Sequence, residues 1–200
     1  MDAKTQKSEM TRTAIVGAAM DLASAEGLEA ITLQAVATRL DLSKSGVFSR
    51  VGSREALQKA VIEEFGRRFL ADVFVPAMQK PKGLARLDEI VSRWIVRTRD
   101  VETETGCIYT AGAFELDDRE GELRDLLLEE VTRWRAALRR TVLQAVETGE
   151  LRADTDPAQL VSEINGLIMA LLHDARFLRD TRAADRAMLT WQRLVASYRA

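Results

Sequence analysis

Residues 33–55 of the chain, LQAVATRLDLSKSGVFSRVGSRE, contain two helical patterns that are each only about two turns long. Val36 and Leu40 lie four residues apart on one face of a first helix, and Val47 and Val51 do the same in a second. Isolated helices of this length are unstable in water, so we expect both to be held by neighbouring helices. The stretch therefore predicts a compact helix pair that the rest of its domain presents.

The ends of both helices carry residues that cap or interrupt a helix. Thr32 and Ser43 precede the two patterns, and a hydroxyl oxygen at such a position can accept a hydrogen bond from a free backbone N–H. Asp41 lies between the helices, and Asp tolerates the conformations of a tight turn. Gly52 and Ser53 end the second helix and cap the next one. This arrangement predicts a helix-turn-helix, whose second helix enters the major groove of DNA.

Basic side chains are gathered around this helix pair. Residues 39–54 contain four basic residues and one acidic residue. Lys44 and Ser45 lie in the first turn of the second helix, from which side chains reach base edges, whereas Arg50 and Arg54 lie where cations meet phosphates. The alternative is a surface helix whose charges are only solvated.

The composition excludes several other classes. A formal net charge of −2 means that any nucleic-acid contact must be local. A single cysteine excludes an intramolecular disulfide and favours a reducing cytoplasm. No apolar run approaches the roughly 18 residues of a membrane helix, and no signal peptide is evident. With 46% apolar residues and no alternating strand pattern, the chain predicts a well-buried, all-helical protein.

Further helices are expected on both sides of the pair. A supporting helix should run over residues 8–25 after a polar tail, residues 1–7. A long connecting helix should follow over residues 54–78, where Pro76 ends or kinks it, and a shift of its far end would move the second helix of the pair. The rest of the chain predicts five helical segments: 82–101, 107–114, 119–148, 157–178 and 181–198.

Residues 12–57 resemble the DNA-binding domain of the tetracycline-repressor (TetR/AcrR) family of bacterial transcription regulators. The family usually has Gly where Asp41 stands, Tyr where Phe48 stands and Phe where Val51 stands. Phe48 lacks a hydroxyl that members use on a phosphate, and Arg50, at a position where His is frequent, could contact a phosphate instead. The matching positions are Ile15, Ala18, Ala19, Leu22, Gly27, Thr32, Val36, Ala37, Leu42, Ser43, Gly46, Val47, Arg54, Glu55 and Leu57.

The resemblance implies an all-α protein with two domains. Residues 1–57 would form a three-helix DNA-binding domain, joined by a long helix to a ligand-binding and dimerisation domain over residues 58–200. Its partners would be double-stranded DNA with a palindromic operator sequence, a small effector molecule and a second copy of the chain. DNA contacts are expected from Thr32, Ser43, Lys44, Ser45, Gly46, Phe48, Ser49, Arg50 and Arg54.

A dimer is also favoured on physical grounds. The last two predicted helices carry apolar residues over wide arcs, and one recognition helix has too little affinity alone. Two-fold pairing would place two such helices about 34–36 Å apart. The alternative for some of these apolar residues is that they fill the core of one chain. The expected interface residues are Leu160, Ile164, Leu167, Leu171, Trp191, Leu194 and Tyr198.

A mostly apolar effector pocket, suited to a small hydrophobic molecule, is expected in the second domain. His173, the only histidine, is interpreted as a core residue satisfied by a hydrogen bond, with a polar anchor for the ligand as the alternative. Cys107 could be a redox-sensing thiol. The candidate lining residues, each of which could instead belong to an ordinary core, are Phe65, Phe69, Trp94, Cys107, Tyr109, Phe114, Trp134, Met169, Leu172 and His173.

Enzymatic function is the rival from another class. Cys107 and His173 are the only conceivable cysteine–histidine pair, and no local signature supports them. Asp117, Asp118 and Glu120 resemble a solvated loop rather than metal ligands. We therefore expect no catalytic residue, metal or cofactor.

The sequence predicts a cytoplasmic repressor that its effector releases from DNA. The alternatives are a transcriptional activator, or a helical small-molecule-binding or interaction protein with little DNA binding.

Overall fold

The computed structural model describes residues 3–200, and helices make up most of this part of the chain. The only extended pairing among these residues is an isolated bridge between Leu151 and Arg199. The all-α prediction is therefore confirmed. The α-helices of seven or more residues are α1 Ala3–Glu26, α2 Leu33–Arg39, α3 Lys44–Val51, α4 Arg54–Phe69, α5 Leu84–Arg97, α6 Ile108–Glu115, α7 Glu122–Glu147, α8 Pro157–Leu172 and α9 Ala183–Tyr198.

Several helix boundaries differ from the prediction. α1 already begins at Ala3, where a polar tail through residue 7 was expected, because Ala, Lys and Gln in that segment favour a helix. α7 and α9 begin at Glu122 and Ala183, a few residues later than expected.

Other helix ends agree with the prediction. Gly27 and Gly149 end α1 and α7 as predicted, and both adopt a positive φ. Asp156 and Pro157 open α8 as predicted, since Asp156 Oδ1 accepts a 2.8 Å hydrogen bond from the Ala158 backbone N–H.

Three of the predicted long helices change to π-helical geometry near their C-terminal ends, which the sequence analysis missed. The first change precedes Pro76, whose ring nitrogen cannot donate a hydrogen bond to the carbonyl of Asp72. A widened turn accommodates that missing bond. The π-helical segments are Leu70–Phe74 after α4, Thr98–Glu102 after α5 and His173–Phe177 after α8.

The chain packs into two compact units, each with its own core. The first contains the chain up to Arg67 together with Ile108–Glu129, and the second contains Arg68–Cys107 and Glu130–Ala200. The functional boundary at residue 57 remains a prediction. Large, deeply buried residues of the first unit include Ile15, Leu28, Ile31, Val36, Val47, Leu57, Val61 and Ile62. Those of the second unit include Leu87, Ile90, Ile95, Leu138, Leu151, Leu160, Ile164 and Trp191.

Two structural properties bear on the class of protein. None of the helices within residues 3–200 has both the length and the apolar character needed to cross a lipid bilayer. In the same part of the chain, no three His, Cys, Asp or Glu side chains are grouped so that they could hold a metal ion.

Candidate DNA-binding surface and effector site

The helix pair in the first unit is fixed by side-chain caps. Thr32 Oγ1 accepts a 3.0 Å hydrogen bond from the Ala35 backbone N–H at the start of α2. Ser43 Oγ accepts one of 3.0 Å from the Gly46 N–H at the start of α3. Each cap satisfies an N–H that has no partner within its own helix. The predicted N-caps of both helices are therefore confirmed, and α3 starts at a defined point.

The turn between α2 and α3 requires an unusual backbone conformation. Asp41 has a φ of 53°, in the left-handed region where residues other than Gly are uncommon. The turn is closed by a 2.9 Å hydrogen bond from the Leu42 N–H to the Ala37 carbonyl. This geometry gives a physical reason why Gly suits the position, and Asp is among the few other residues that tolerate it.

The outward side of α3 carries most of the predicted DNA contacts. Val47 is fully buried and fixes the inward side of this helix. Phe48 is 57% exposed, so its ring is accessible on the outward side of this helix. The ammonium of Lys44 has no ion pair or hydrogen bond to any other described residue, and because the side chain is exposed it can meet an anion. The other residues of this surface are Ser43, Ser45, Ser49 and Arg50, all exposed, and Gly46, which is partly buried.

Arg50 and Arg54 differ in how freely they can reach DNA. The Arg50 guanidinium donates a 2.9 Å hydrogen bond to the Gly46 carbonyl on the same exposed helix. Arg54 donates through Nε to the Ile31 carbonyl at 2.8 Å and through Nη2 to the Glu29 carbonyl at 2.6 Å. Arg54 therefore braces the start of α4 against the segment before α2, a role that the sequence analysis missed. Its contact with a phosphate remains a prediction.

A carboxylate from α6 holds the segment that precedes α2. Glu115 accepts hydrogen bonds from the backbone N–H groups of Leu28 and Glu29, at 2.8 and 2.7 Å. These groups lie in a single 3-10 turn, Leu28–Ala30. Gly27 precedes the turn with a φ of 93°, and a Cβ there would lie 2.9 Å from a Glu115 oxygen. Gly therefore suits this position because of its positive φ, and a Cβ there would in addition crowd the end of the Glu115 side chain.

The second unit contains a tight aromatic cluster, Phe69, Phe74, Trp94 and Trp134, which joins three of the predicted effector residues. The ring centroids of Phe69 and Trp134 lie 4.6 Å apart, and those of Trp94 and Trp134 lie 5.2 Å apart. Both pairs pack edge to face. Two other candidates, Phe65 and Tyr109, form a separate pair in the first unit with centroids 4.8 Å apart.

The remaining effector candidates do not join the aromatic cluster. Phe114 and Met169 are 64% and 45% exposed. His173 is also exposed and pairs with its neighbour Asp174, so its interpretation as a buried core residue was wrong. It lies in a π-helical segment, where the α-helical face expected from its sequence neighbours no longer applies. Leu172 is half-buried, and Cys107 is only 8% exposed.

A buried ion pair lies beside the aromatic cluster. Arg97 and Glu102 are 8% and 1% exposed, and Arg97 Nε donates to Glu102 Oε1 at 3.2 Å. Arg97 also pairs with Asp72, and its guanidinium carbon lies 5.8 Å from the Phe69 ring centroid. Burial raises the pKa of the Glu102 carboxyl, although Arg97 opposes this shift. The sequence analysis missed this pair because the two residues are five apart, a spacing that shares no face of an α-helix.

The predicted dimer residues mostly fill the core of the second unit. Trp191 is fully buried, and its Nε1 donates a 2.8 Å hydrogen bond to Asp88 Oδ1. Leu194 and Tyr198 are half-buried. Because surface that is already covered cannot face a partner, the alternative of core packing holds for the buried members of the set. These are Leu160, Ile164, Leu167, Leu171 and Trp191.

Comparisons with known proteins agree with this arrangement. Residues 83–191, more than half of the chain, match the sequence profile of the family described as tetracyclin repressor-like, C-terminal domain. Comparison with the sequences of curated proteins finds no match.

Solved structures show the same fold. A TetR-family transcriptional regulator from Cytophaga hutchinsonii is 19% identical with a TM-score of 0.80, and the match covers 97% of each chain. One from Streptomyces coelicolor is 14% identical with a TM-score of 0.79, covering 99% of this chain and 96% of the other. AibR, in complex with isovaleryl coenzyme A and operator DNA, is 22% identical with a TM-score of 0.70, covering 90% of this chain and 96% of its own.

Proposed function

The chain belongs to the tetracycline-repressor-like family of transcriptional regulators, and we propose that it represses transcription from a palindromic operator until a small effector releases it. The outward side of α3 carries this proposal. A capped helix of eight residues exposes Lys44, Ser45 and Arg50 on one surface, where a free ammonium and hydroxyls can meet DNA. These three side chains are exposed and add nothing to the core of the unit, to which α3 contributes Val47.

The proposed contacts divide into two kinds. Lys44 and Ser45, in the first turn of α3, read base edges in the major groove. Thr32, Phe48, Ser49 and the rest of the predicted set position the helix against the sugar-phosphate backbone, and Arg50 pairs with a phosphate. Only the first kind gives sequence specificity, so the operator should be defined by few base pairs in each half-site.

A second copy of the chain would provide the second recognition helix. We propose that exposed faces of α8 and α9 pair, because the buried residues first expected there are already covered. Gly166 and Ala170 on α8 are small and exposed, so two helices can approach closely. Leu189 on α9 is 46% exposed and adds apolar surface. Leu194 and Tyr198, which are half-buried, remain candidates at the edge of this surface.

The effector would bind in the second unit, near the aromatic cluster. AibR is a relative in fold whose structure contains both a small molecule and operator DNA. In this chain, α4 leaves the first unit at Arg67 and α6 returns to it at Ile108. An effector that prefers one arrangement of the second unit can bias α6, whose Glu115 holds the turn before α2. The size of this shift is limited by the difference between the ligand's affinities for the arrangement that binds DNA and the arrangement that does not. We propose this regulatory role in the cytoplasm, without catalysis.

The experiment is a gel-shift titration of the purified protein against the DNA that flanks its own coding region, at two salt concentrations. We expect tight, palindrome-dependent binding that weakens steeply with salt, because phosphate contacts release counterions. Lys44→Glu should abolish binding. Lys82→Glu is the matched control, since it makes the same change of charge at an exposed site outside α3 and should leave binding intact.

Two results would count against the proposal. Equal loss of binding in both variants would show that only the total charge matters. No binding of the folded protein to any of this DNA would favour a small-molecule-binding protein that does not act on neighbouring genes.

A further inference from the structure

Two tryptophans of the aromatic cluster have buried N–H groups without an acceptor. Trp94 and Trp134 are 7% and 9% exposed, and among residues 3–200 neither indole Nε1 has a hydrogen-bond partner. The third tryptophan, Trp191, is also buried but donates to Asp88 at 2.8 Å. Leaving a buried N–H unpaired costs about 1–3 kcal/mol, so native proteins contain few such groups. Two of them in one cluster indicate that this place is built to receive an acceptor.

The surroundings of the two indoles are aromatic. Phe69 packs edge to face on both, with centroid distances of 5.4 Å to Trp94 and 4.6 Å to Trp134. Phe74 adds a fourth ring, 6.0 Å from Trp134. A ring face accepts a hydrogen bond only weakly, so a carbonyl oxygen would compete successfully for either N–H. A ligand with a flat or cyclic apolar body can replace part of this edge-to-face packing.

The charges beside the cluster select against an anion. Arg97 is the cation that lies against Phe69, and it already pairs with Glu102 and Asp72. Burial raises the pKa of Glu102, because a carboxylate removed from water is disfavoured in its charged form. A carboxylate or phosphate entering the cluster would lose its hydration and meet these acidic neighbours, while Arg97, the cation against Phe69, is already paired with them.

We propose that the effector of this protein is an uncharged, largely apolar molecule with a carbonyl-type acceptor, held by a hydrogen bond from the indole N–H of Trp94 or Trp134. Ketones, lactones, esters and amides carry such an acceptor. Hydrocarbons lack it, and carboxylic acids carry a charge at neutral pH. The proposal rests on the proposed function in one respect, namely that the small molecule bound in the second unit is the regulatory ligand.

The test uses the three indole N–H signals in a two-dimensional 1H–15N NMR spectrum of the full-length protein. Trp94→Phe and Trp134→Phe assign their own signals, and the remaining signal belongs to Trp191. The probes are cyclohexanone, methylenecyclohexane, which has the same shape but no acceptor, and cyclohexanecarboxylate. We expect cyclohexanone to shift the Trp94 or Trp134 signal saturably to lower field, as a new hydrogen bond does. The Trp191 signal should stay in place, because its N–H is already bonded.

The variants then measure the contribution of each donor. Phe keeps an aromatic ring at the site but has no N–H, so at least one of the two substitutions should weaken cyclohexanone binding about fivefold, the value of one net hydrogen bond. Binding of methylenecyclohexane should be unchanged by either. If a variant does not fold, the comparison of ketone and alkene binding to the unmodified protein still decides whether the site requires a hydrogen-bond acceptor.

Three outcomes would overturn the inference: equal affinity for ketone and alkene, tighter binding of the carboxylate, or no saturable shift of either signal up to the solubility limit of the ketone. A failure of this inference can be distinguished from a failure of the proposed function, which the operator titration tests. Operator binding without a preference for the ketone would reject the acceptor site alone. A preference for the ketone without operator binding would reject the regulatory function and leave a binding site for neutral carbonyl compounds.

Discussion

The side-chain carboxylate of Glu115 accepts a 2.8 Å hydrogen bond from the backbone N–H of Leu28, 87 positions earlier in the chain. Its other oxygen accepts a second bond, of 2.7 Å, from the Glu29 N–H. Both bonds involve an ionised acceptor and are therefore stronger than bonds between neutral groups. They fix α6 to the turn that leads into α2, within one compact unit.

Glu115→Ala should destabilise the protein by about 1–3 kcal/mol, because it leaves two backbone donors of a partly buried turn without their acceptor. Glu115→Gln should cost less, since its amide oxygen can still accept from one of them. Urea denaturation of both variants measures the difference. Equal stability of the Ala variant and the unmodified protein would show that water replaces the carboxylate without loss.

The Glu115 contact could not have been predicted from the sequence, because nothing local to Glu115 or Leu28 indicates that they meet. The caps of the helix pair were predictable for the opposite reason. Thr32 and Ser43 bond to N–H groups three residues away, so residue type and position suffice. Asp41 was recognised as a turn residue, although its left-handed φ became evident only in the structure.

Asp41→Ala should destabilise the protein by about 1 kcal/mol, because Ala keeps the Cβ that crowds the next carbonyl oxygen in the left-handed region but lacks the short polar side chain that lets Asp tolerate it. Asp41→Gly should remain within about 0.5 kcal/mol of the unmodified protein, since relief of strain offsets the greater freedom of Gly in the unfolded chain. Both changes remove the same carboxylate, so the comparison isolates the backbone. Thermal denaturation of the two variants measures the difference in their stability, and identical midpoints would contradict a strained turn.

Phe48→Tyr should raise the affinity for DNA roughly fivefold, because the new hydroxyl can donate to a phosphate from an exposed site on α3. Unrelated DNA should gain by a similar factor, since a phosphate contact carries no sequence information. Gel-shift titrations with operator and unrelated DNA at the same salt concentration measure both gains. A gain on the operator alone would place the ring beside a base rather than a phosphate.

The ion pair of Arg97 and Glu102 predicts a dependence of stability on pH. Since burial raises the pKa of Glu102 above its ordinary 4.5, the folded state holds this proton more tightly than the unfolded chain. Glu102 therefore adds stability as the pH falls from 7 towards 4.5, and this stability is lost as the pH rises through the folded-state pKa. The pKa values of Glu122 and Glu150 are lowered, through hydrogen bonds from Lys59 and Thr148, so their contributions change only below about 4.5.

Glu102→Gln removes this titrating group while nearly preserving its shape. We expect the stability of the unmodified protein, relative to this variant, to increase between pH 7 and pH 5. Urea denaturation at both pH values measures the change. A constant difference would mean that Glu102 has the same pKa in the folded and unfolded states.

The π-helical segments explain most of what was missed in the second unit. The apolar spacing that identifies an α-helix does not distinguish it from a helix that widens for one turn, so residues 98–101 and 173–177 were assigned to α-helices. The widening brings Glu102 back to Arg97 and leaves His173 exposed. The residues predicted for the effector site were chosen as apolar or aromatic, but only the packing shows that Trp94 and Trp134 contact each other while Phe114 does not join them.

Cys107 follows Gly106 at the point where the chain passes from the second unit to α6, and it is only 8% exposed. Since the chain has no other cysteine, a thiol reagent has a single target. Its reaction with a bulky reagent is slowed by this burial, so the rate of labelling measures how often the structure around Cys107 opens locally, without any engineered probe. A molecule that stabilises the surroundings of Cys107 would slow the labelling, and one that loosens them would speed it, so the chain carries its own reporter of ligand action.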